Sequence, residues 1–203
     1  MGWSTIRSIL TFCMNRIGVI SDIQAAFHNI EIQNELRKFI KFLWMNEHDQ
    51  LMCYRFNQLP LGLSSSPFIL YAEIVHHISK YKDRYPMAVN LIRYGLYVDE
   101  LIFSAKDVIE VETIRRQCIE MFCDASMNLR KWRTSNNELN QRWNDGVAES
   151  KVLGMEWTND DKLRILIPEI NGDEPIPKRK LLGFLSSIYD PFGFVLNQTS
   201  LNL

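Results

Sequence analysis

The chain has 203 residues, 46% hydrophobic and 23% charged, a composition typical of a folded globular domain rather than a disordered chain. Its 23 Lys and Arg against 24 Asp and Glu give a net charge of −1, which excludes a general electrostatic attraction to nucleic acid or membranes. Any such partner requires a local basic patch. The apolar runs are shorter than the roughly 18 residues of a membrane helix, and we expect neither a membrane partner nor a secretory signal.

The four cysteines do not predict a metal site. Cys13 and Cys53 stand apart, and Cys118 and Cys123 lack the third and fourth ligands that structural zinc requires. Because no secretory signal is expected, we interpret the cysteines as buried, reduced thiols of an intracellular, cytoplasmic protein.

The first half of the chain predicts a strand, a hairpin and a helix. An apolar run over 18–23 predicts a buried strand with Asp22 near its end. Two aromatic-rich segments, 38–44 and 51–56, flank a polar loop and predict a β-hairpin. Serines and a proline over 64–67 mark the start of a helix that is expected to bury Phe68, Ala72 and Val75.

The second half begins with two carboxylates in a predicted turn. Residues 91–97 and 101–104 are strand candidates, and Asp99 and Glu100 lie between them at the tip of a tight hairpin. Three acids in the chain have apolar neighbours on both sides, namely Asp22, Asp99 and Glu100.

The most regular element follows this hairpin. Asp107 and Glu110 form a capping box of the Asp type, before apolar residues at helical spacing, namely Val111, Ile114, Cys118, Met121, Phe122 and Ala125. Three further strands and a last helix are expected at 128–132, 152–157, 163–167 and 178–189. Strands and helices mix without βαβ order, which predicts the α+β class with an antiparallel core.

The three acids allow two interpretations. A charged group among apolar residues is costly unless a counter-charge offsets it, and hard oxygen ligands favour Mg²⁺ or Mn²⁺. Acids at strand ends and turns are also often solvated or capping groups, and residue chemistry alone leaves both interpretations open.

Four motifs stand in the chain order typical of reverse transcriptases. They are Ser21-Asp22-Ile23-Gln24-Ala25-Ala26-Phe27, Leu59-Pro60-Leu61-Gly62-Leu63-Ser64-Ser65-Ser66-Pro67-Phe68, Tyr97-Val98-Asp99-Glu100 and Leu153-Gly154-Met155-Glu156-Trp157. The chain therefore resembles the palm region of a retroelement reverse transcriptase. More closely, it resembles the BEL/Pao class of LTR retrotransposons, through Phe39 to Trp44, Arg130-Lys131-Trp132, Ser135-Asn136, Lys178-Arg179 and 188–193.

The resemblance implies a right-hand polymerase palm, an antiparallel sheet with packed helices, over 1–168 with partial fingers. Residues 169–203 would connect the primer grip to a truncated thumb. The chain would be a fragment, cut at both ends, of a retrotransposon polyprotein. The intact parent would be an RNA-directed DNA polymerase, partnered by RNA or DNA template-primer and deoxynucleotide triphosphates, in the cytoplasm or a virus-like particle.

The resemblance also assigns roles to residues of the first three motifs. Asp22, Asp99 and Glu100 would be the catalytic acids and, with the carbonyl oxygen of Ile23, would hold two Mg²⁺ or Mn²⁺ ions that drive nucleotidyl transfer. Phe27 falls where the family has an aromatic gate that rejects a ribose 2′-hydroxyl, although core packing explains this phenylalanine equally well.

The remaining predicted site residues would contact the nucleotide, primer or phosphates. Leu61 and Gly62 would face the incoming nucleotide, since glycine lets the backbone approach closely, although Gly62 is equally well explained as a turn residue. The segment from Leu153 through Gly154, Met155 and Glu156 to Trp157 would form the primer grip. Two basic clusters would meet phosphates or else form a solvated face: Arg130, Lys131 and Arg133, and Lys178, Arg179 and Lys180.

One motif departs from the family pattern, which has aspartate where this chain has Glu100. Glutamate keeps the charge, but its extra methylene moves the carboxylate by about 1 Å or more at a site that needs tight Mg²⁺ geometry. Two functions therefore follow. The first is a fragment of a reverse transcriptase, and the alternative is a catalytically dead remnant that acts at most as a nucleic-acid or protein binding module. The charge balance, Glu100 and the expected absence of the upstream fingers region favour the alternative.

Overall fold

The computed structural model describes residues 2–143, 151–167 and 177–192, with side chains from Ile6 onward. The fold is mixed α+β. Within the described residues there are three short 3₁₀ helices and six α-helices: α1 (Gly2–Cys13), α2 (Ser66–Ile78), α3 (Pro86–Gly95), α4 (Val108–Asp124), α5 (Asn137–Trp143) and α6 (Lys178–Ser187). None of the helices in these ranges is long and apolar enough to span a membrane.

Nine short strands occur in the same described ranges. They are β1 (Ile17–Ile23), β2 (Lys41–Met45), β3 (Leu51–Arg55), β4 (Leu96–Tyr97), β5 (Glu100–Ala105), β6 (Leu129–Thr134), β7 (Lys151–Val152), β8 (Met155–Trp157) and β9 (Leu163–Arg164). They form a four-stranded sheet in the order β4-β5-β1-β6, the β2-β3 hairpin and a three-stranded sheet in the order β7-β8-β9. The pairs β2 with β3, β4 with β5, and both pairs of the three-stranded sheet are antiparallel.

The chain divides into two compact units. The first takes in the described residues of 1–21, 102–111 and 131–203, and its buried side chains include Phe12, Val19, Phe103, Trp132, Leu139 and Trp157. The second comprises Asp22–Leu101 and Glu112–Arg130, with buried Ile23, Leu70, Ile74, Ile92, Leu101, Ile114 and Phe122. Asp22, Asp99 and Glu100 all belong to the second unit.

The prediction of a strand over 91–97 is wrong. Helix α3 takes up most of this segment, and only Leu96 and Tyr97 are extended. Pro86 occupies the start of the helix, where its fixed φ angle suits the first turn and its missing N–H is not needed. The buried residues of α3 then repeat at helical spacing, at Ala88, Val89 and Ile92.

The predicted inward face of α2 is also wrong. The helix begins at Ser66, near the expected position, but Phe68 is 73% exposed, Ala72 is exposed as well and Val75 is only half-buried. The buried positions are Ser66, Leu70, Ile74 and Ile78, a regular spacing of four residues. Both faces carry apolar side chains, so the face that is buried depends on what the helix packs against.

Several local predictions are confirmed. The Asp107 carboxylate accepts a hydrogen bond from the backbone N–H of Glu110 at 2.9 Å, as expected of an N-terminal cap. Five of the six predicted apolar positions of this helix are buried, whereas Ala125 follows the end of α4 and is half-buried. The β2-β3 hairpin and β1 lie where the sequence places them, whereas α1 and α5 were not predicted. Of the segment over 169–203, residues 169–176 and 193–203 lie outside the described residues, as does Gly193 of the last quoted motif.

The cysteines differ from expectation. Only Cys118 is buried, and Cys13, Cys53 and Cys123 are exposed. Burial raises the pKa of the Cys118 thiol to about 12, so this thiol stays protonated and packs as a small apolar group.

Candidate functional site

The turn that carries Asp99 is strained at the residue before it. Tyr97 pairs with Glu100 across the β4-β5 hairpin, so Val98 and Asp99 form a two-residue turn. Val98 has φ 56°, a left-handed conformation that is unusual for a β-branched residue. Backbone strain of this kind persists where the surrounding structure fixes it, and it concentrates at functional sites. Asp99 is thus the tip residue, and Glu100 is already the first residue of β5.

A backbone hydrogen bond joins the two predicted acid motifs. The N–H of Ile23 donates to the carbonyl oxygen of Asp99 at 2.8 Å. The next residue of the same motif, Gln24, donates to the carbonyl oxygen of Asn128 at 2.9 Å. The structure therefore brings Asp22, Ile23 and Asp99 to one place, although 77 positions separate the two aspartates in sequence. The separation of their carboxylates stays a prediction, about 4 to 7 Å for a shared dinuclear site.

A cation already faces Asp22. The Nε of Arg130 lies 3.3 Å from Oδ2 of Asp22, in an ion pair in which both side chains are partly exposed. Arg130 lies on β6. In the sequence, the only sign of this ion pair is that Arg130 belongs to a basic cluster at a predicted strand. The phosphate contact that the sequence predicts for this arginine stays a prediction, and in the structure its guanidinium pairs with the carboxylate of the first motif.

The two-ion site that the family resemblance implies stays a prediction. Over the ranges that the structure describes, no group of three or more His, Cys, Asp or Glu side chains is arranged to hold a metal ion. The carboxylate of Asp22 is instead compensated by the Arg130 guanidinium. A divalent ion at Asp22 would have to compete with this fixed cation, because two positive charges near one carboxylate repel each other.

Replacing Arg130 by glutamine should therefore raise the affinity for Mn²⁺. A partly exposed ion pair contributes up to about 1 kcal/mol, so we expect binding about two- to fivefold tighter. Isothermal titration with Mn²⁺ measures this directly, and Lys106→Gln serves as an exposed control of equal charge change. A titration in which Arg130→Gln binds Mn²⁺ no better than this control would contradict the competition between the arginine and the metal.

The predicted nucleotide-contacting residues differ in exposure. Phe27 is 7% exposed and lies with buried Ala26 in a 3₁₀ turn, which favours core packing and leaves the gate role a prediction. Leu61 is exposed. Gly62 has φ 97°, and a Cβ there would meet no atom within 4 Å, so glycine is required by the backbone conformation and the space beside it is open.

The predicted primer grip is a tight hairpin in the first unit. Leu153 and Gly154 have φ 49° and 84°, which is typical of a type I′ turn joining β7 to β8. A Cβ on Gly154 would lie 3.3 Å from the ring of Tyr189. Glu156 is opposite Lys151 on β7 and Arg164 on β9, so its charge is matched across both pairings. Met155 and Trp157 are buried.

The remaining basic residues have different environments. Arg133 donates to the carbonyl oxygen of Trp157 at 2.8 Å and lies over the indole ring at 4.6 Å, and burial lowers the pKa of its guanidinium. Lys131 has φ 54° within β6, where Arg130 and Lys131 both avoid the core, as in a β-bulge. The cluster Lys178, Arg179 and Lys180 forms the exposed first turn of α6.

Comparison with known proteins finds similarity among solved structures. No family model matches the sequence. No curated protein matches it either. Among solved structures, the chain is similar to the prototype foamy virus protease-reverse transcriptase (CSH mutant), with 18% identity and a TM-score of 0.47. The similarity covers 62% of this chain and 15% of that chain, so this chain spans only a small part of that viral protein's length.

Proposed function

We propose that the chain is the palm region of a retroelement reverse transcriptase of the BEL/Pao type. Its parent activity is RNA-directed DNA synthesis, in which deoxynucleotides are added to a primer on an RNA or DNA template. The observation that carries the proposal is the hydrogen bond from Ile23 to Asp99, since it joins the two acid motifs at the end of β1. The order of the four motifs along the chain supports it further.

A second function is favoured by the environment of Asp22. The ion pair with Arg130 and the lack of a three-acid group in the described ranges fit a binding module that has lost polymerase chemistry. Glu100 in place of aspartate points the same way. In this second case the palm still binds nucleic acid or a protein, but no templated synthesis takes place.

Primer extension separates the two functions. The purified chain is incubated with an RNA template, an annealed DNA primer, deoxynucleotides and Mg²⁺, beside its Asp99→Asn variant as a blank. We expect the unmodified chain to extend the primer at close to the blank rate, because Asp22 is paired with Arg130 and Glu100 stands where the family pattern has aspartate. Robust extension that is lost in Asp99→Asn would refute the binding-module function. If the unmodified chain stays at the blank rate, the Glu100→Asp variant tests the polymerase proposal itself.

Phe27 sets sugar selectivity in this proposal. Replacing it by valine should narrow the preference for a deoxynucleotide over its ribonucleotide counterpart, because the smaller side chain leaves room for the 2′-hydroxyl. The measurement is the ratio of the two incorporation rates with Phe27→Val and with phenylalanine, both in the Glu100→Asp background. Thermal melts accompany it, since Phe27 is buried. An unchanged ratio in a folded variant would leave Phe27 as a core residue only.

A further inference from the structure

The β2-β3 hairpin is outside the core along its whole length. All five residues of each strand are exposed, although the hairpin carries large apolar and aromatic side chains. Its own contacts hold it together. Phe42 stacks on Tyr54 with ring centroids 5.6 Å apart and meets Phe56 at 4.6 Å, and the Asn46 side chain accepts hydrogen bonds from the backbone N–H groups of His48 and Gln50.

The base of this hairpin concentrates positive charge. Lys41 is directly opposite Arg55 in the antiparallel register. Like charges in this position destabilise a strand pair, so the arrangement is unfavourable unless an anion lies against it. Lys38 adds a third cation. The three line an open groove of about 570 Å³ whose lining contains no carboxylate: Lys38, Lys41, Cys53, Tyr54, Arg55 and Asn57.

An exposed aromatic ring adjoins the same groove. Phe39 is 74% exposed, and the Nζ of Lys38 lies 5.0 Å from the centre of its ring. The Glu31 carboxylate is paired with Arg37 at 2.6 Å and does not line the groove. A flat apolar ring at the edge of a groove lined by three cations is the combination that binds single-stranded nucleic acid, through base stacking and phosphate contacts.

We propose that the base of the β2-β3 hairpin binds single-stranded nucleic acid. Phosphates lie between Lys41 and Arg55 and beside Lys38, and a base stacks on Phe39. An acidic protein segment would satisfy the cations, but its carboxylates do not stack on a ring, whereas every nucleotide carries both a phosphate and a stacking base; for this reason a nucleic acid is the better partner. The site is separate from the Asp22 and Asp99 motifs, and binding requires neither nucleotide nor polymerase chemistry.

The test is the binding of a fluorescein-labelled 15-nucleotide oligo(dT), followed by fluorescence anisotropy in EDTA at several salt concentrations. The double variant Lys41→Gln/Arg55→Gln should weaken binding about tenfold or more and reduce the slope of log K against log salt by about 1.4, at about 0.7 per lost phosphate contact on a single strand. The control Lys82→Gln/Lys106→Gln removes the same charge elsewhere and should leave both quantities unchanged. Because the double variant relieves like-charge repulsion, we expect its melting temperature to be unchanged or higher.

Two further measurements identify the ligand and the site. Phe39→Leu should weaken oligo(dT) binding at least about fivefold, through the lost stacking. Hydrogen exchange of the unmodified chain should show protection over 41–55 when oligo(dT) is added. Poly-L-glutamate that competes as well as unlabelled oligo(dT) would overturn the assignment to nucleic acid. Equal losses in the control variant, or dimerisation through the hairpin without oligo(dT) binding, would overturn the site.

The outcome is independent of primer extension. The anisotropy measurement contains no metal and no nucleotide, so an inactive palm can still bind oligo(dT) at the hairpin. Conversely, consider the result that the unmodified chain extends primers while the Lys41→Gln/Arg55→Gln variant binds oligo(dT) as well as the unmodified chain. That result would support the polymerase proposal and contradict the hairpin site.

Discussion

Replacing Glu100 by aspartate should raise templated DNA synthesis by about two orders of magnitude. Glu100 is the first residue of β5 and pairs with Tyr97, so the register fixes where its side chain begins. The extra methylene then carries the carboxylate about 1 Å or more beyond the position of an aspartate. A misplacement of this size at a reacting centre can cost about 10²-fold in rate, which the shorter side chain should restore. Primer extension on an RNA template with Mg²⁺ measures the gain.

Two variants control this experiment. Glu100→Gln keeps the length of the side chain and removes its charge, and it should stay at the background rate. Asp99→Asn in the Glu100→Asp background should abolish the gain, since Asp99 is the acid at the tip of the turn. If a folded Glu100→Asp chain extends primers no faster than the unmodified chain, the polymerase proposal is wrong for this chain and the binding-module function stands.

Replacing Trp157 by alanine should destabilise the first unit by about 3 to 5 kcal/mol, as large-to-small substitutions of buried aromatic residues do. Trp157 is 1% exposed, and its ring meets Phe12 edge to face at 5.0 Å. Its Nε1 donates to Asp161 at 2.8 Å, and the Arg133 guanidinium lies over its face. Truncation removes all three contacts and leaves a cavity, so the midpoint of urea denaturation should fall markedly.

A matched substitution isolates the effect of burial. Trp44→Ala makes the same chemical change at a residue that is 68% exposed on the hairpin, and its free energy of unfolding should change by less than about 0.5 kcal/mol. Circular dichroism follows unfolding in both variants without relying on tryptophan fluorescence. Similar losses in the two variants would show that Trp157 does not carry the packing of the first unit.

Local chemistry explains the elements that the sequence predicted well. The carboxylate of Asp107 caps α4 because it is three residues from the N–H of Glu110, a distance set by helix geometry alone. The same holds for the β2-β3 hairpin, in which two aromatic-rich segments flank a loop that Asn46 closes with its own side chain. Such features depend on residues within a few positions of one another.

The predictions were wrong where the apolar residues of a segment fit two different arrangements equally well. Over 91–97 the apolar residues fit a strand, but Pro86 begins a helix that runs into the same segment and buries Ile92. In α2 both faces are apolar, and spacing could not decide between Phe68 and Leu70 as the buried residue. Only packing of each helix on its neighbours settles which face leaves water.

The sequence by itself determined the order of the four motifs, the α+β class and the capped helix α4. It also identified Asp22 and Asp99 as candidate site residues. Their meeting through the N–H of Ile23, the pairing of Asp22 with Arg130 across 108 positions, and the exposure of the β2-β3 hairpin were decided by the tertiary structure. The physical reason is the sequence distance over which each kind of interaction acts. Hydrogen-bond caps and side-chain periods act over a few residues, whereas ion pairs and burial depend on which distant strands become neighbours, and a single sequence does not record that choice.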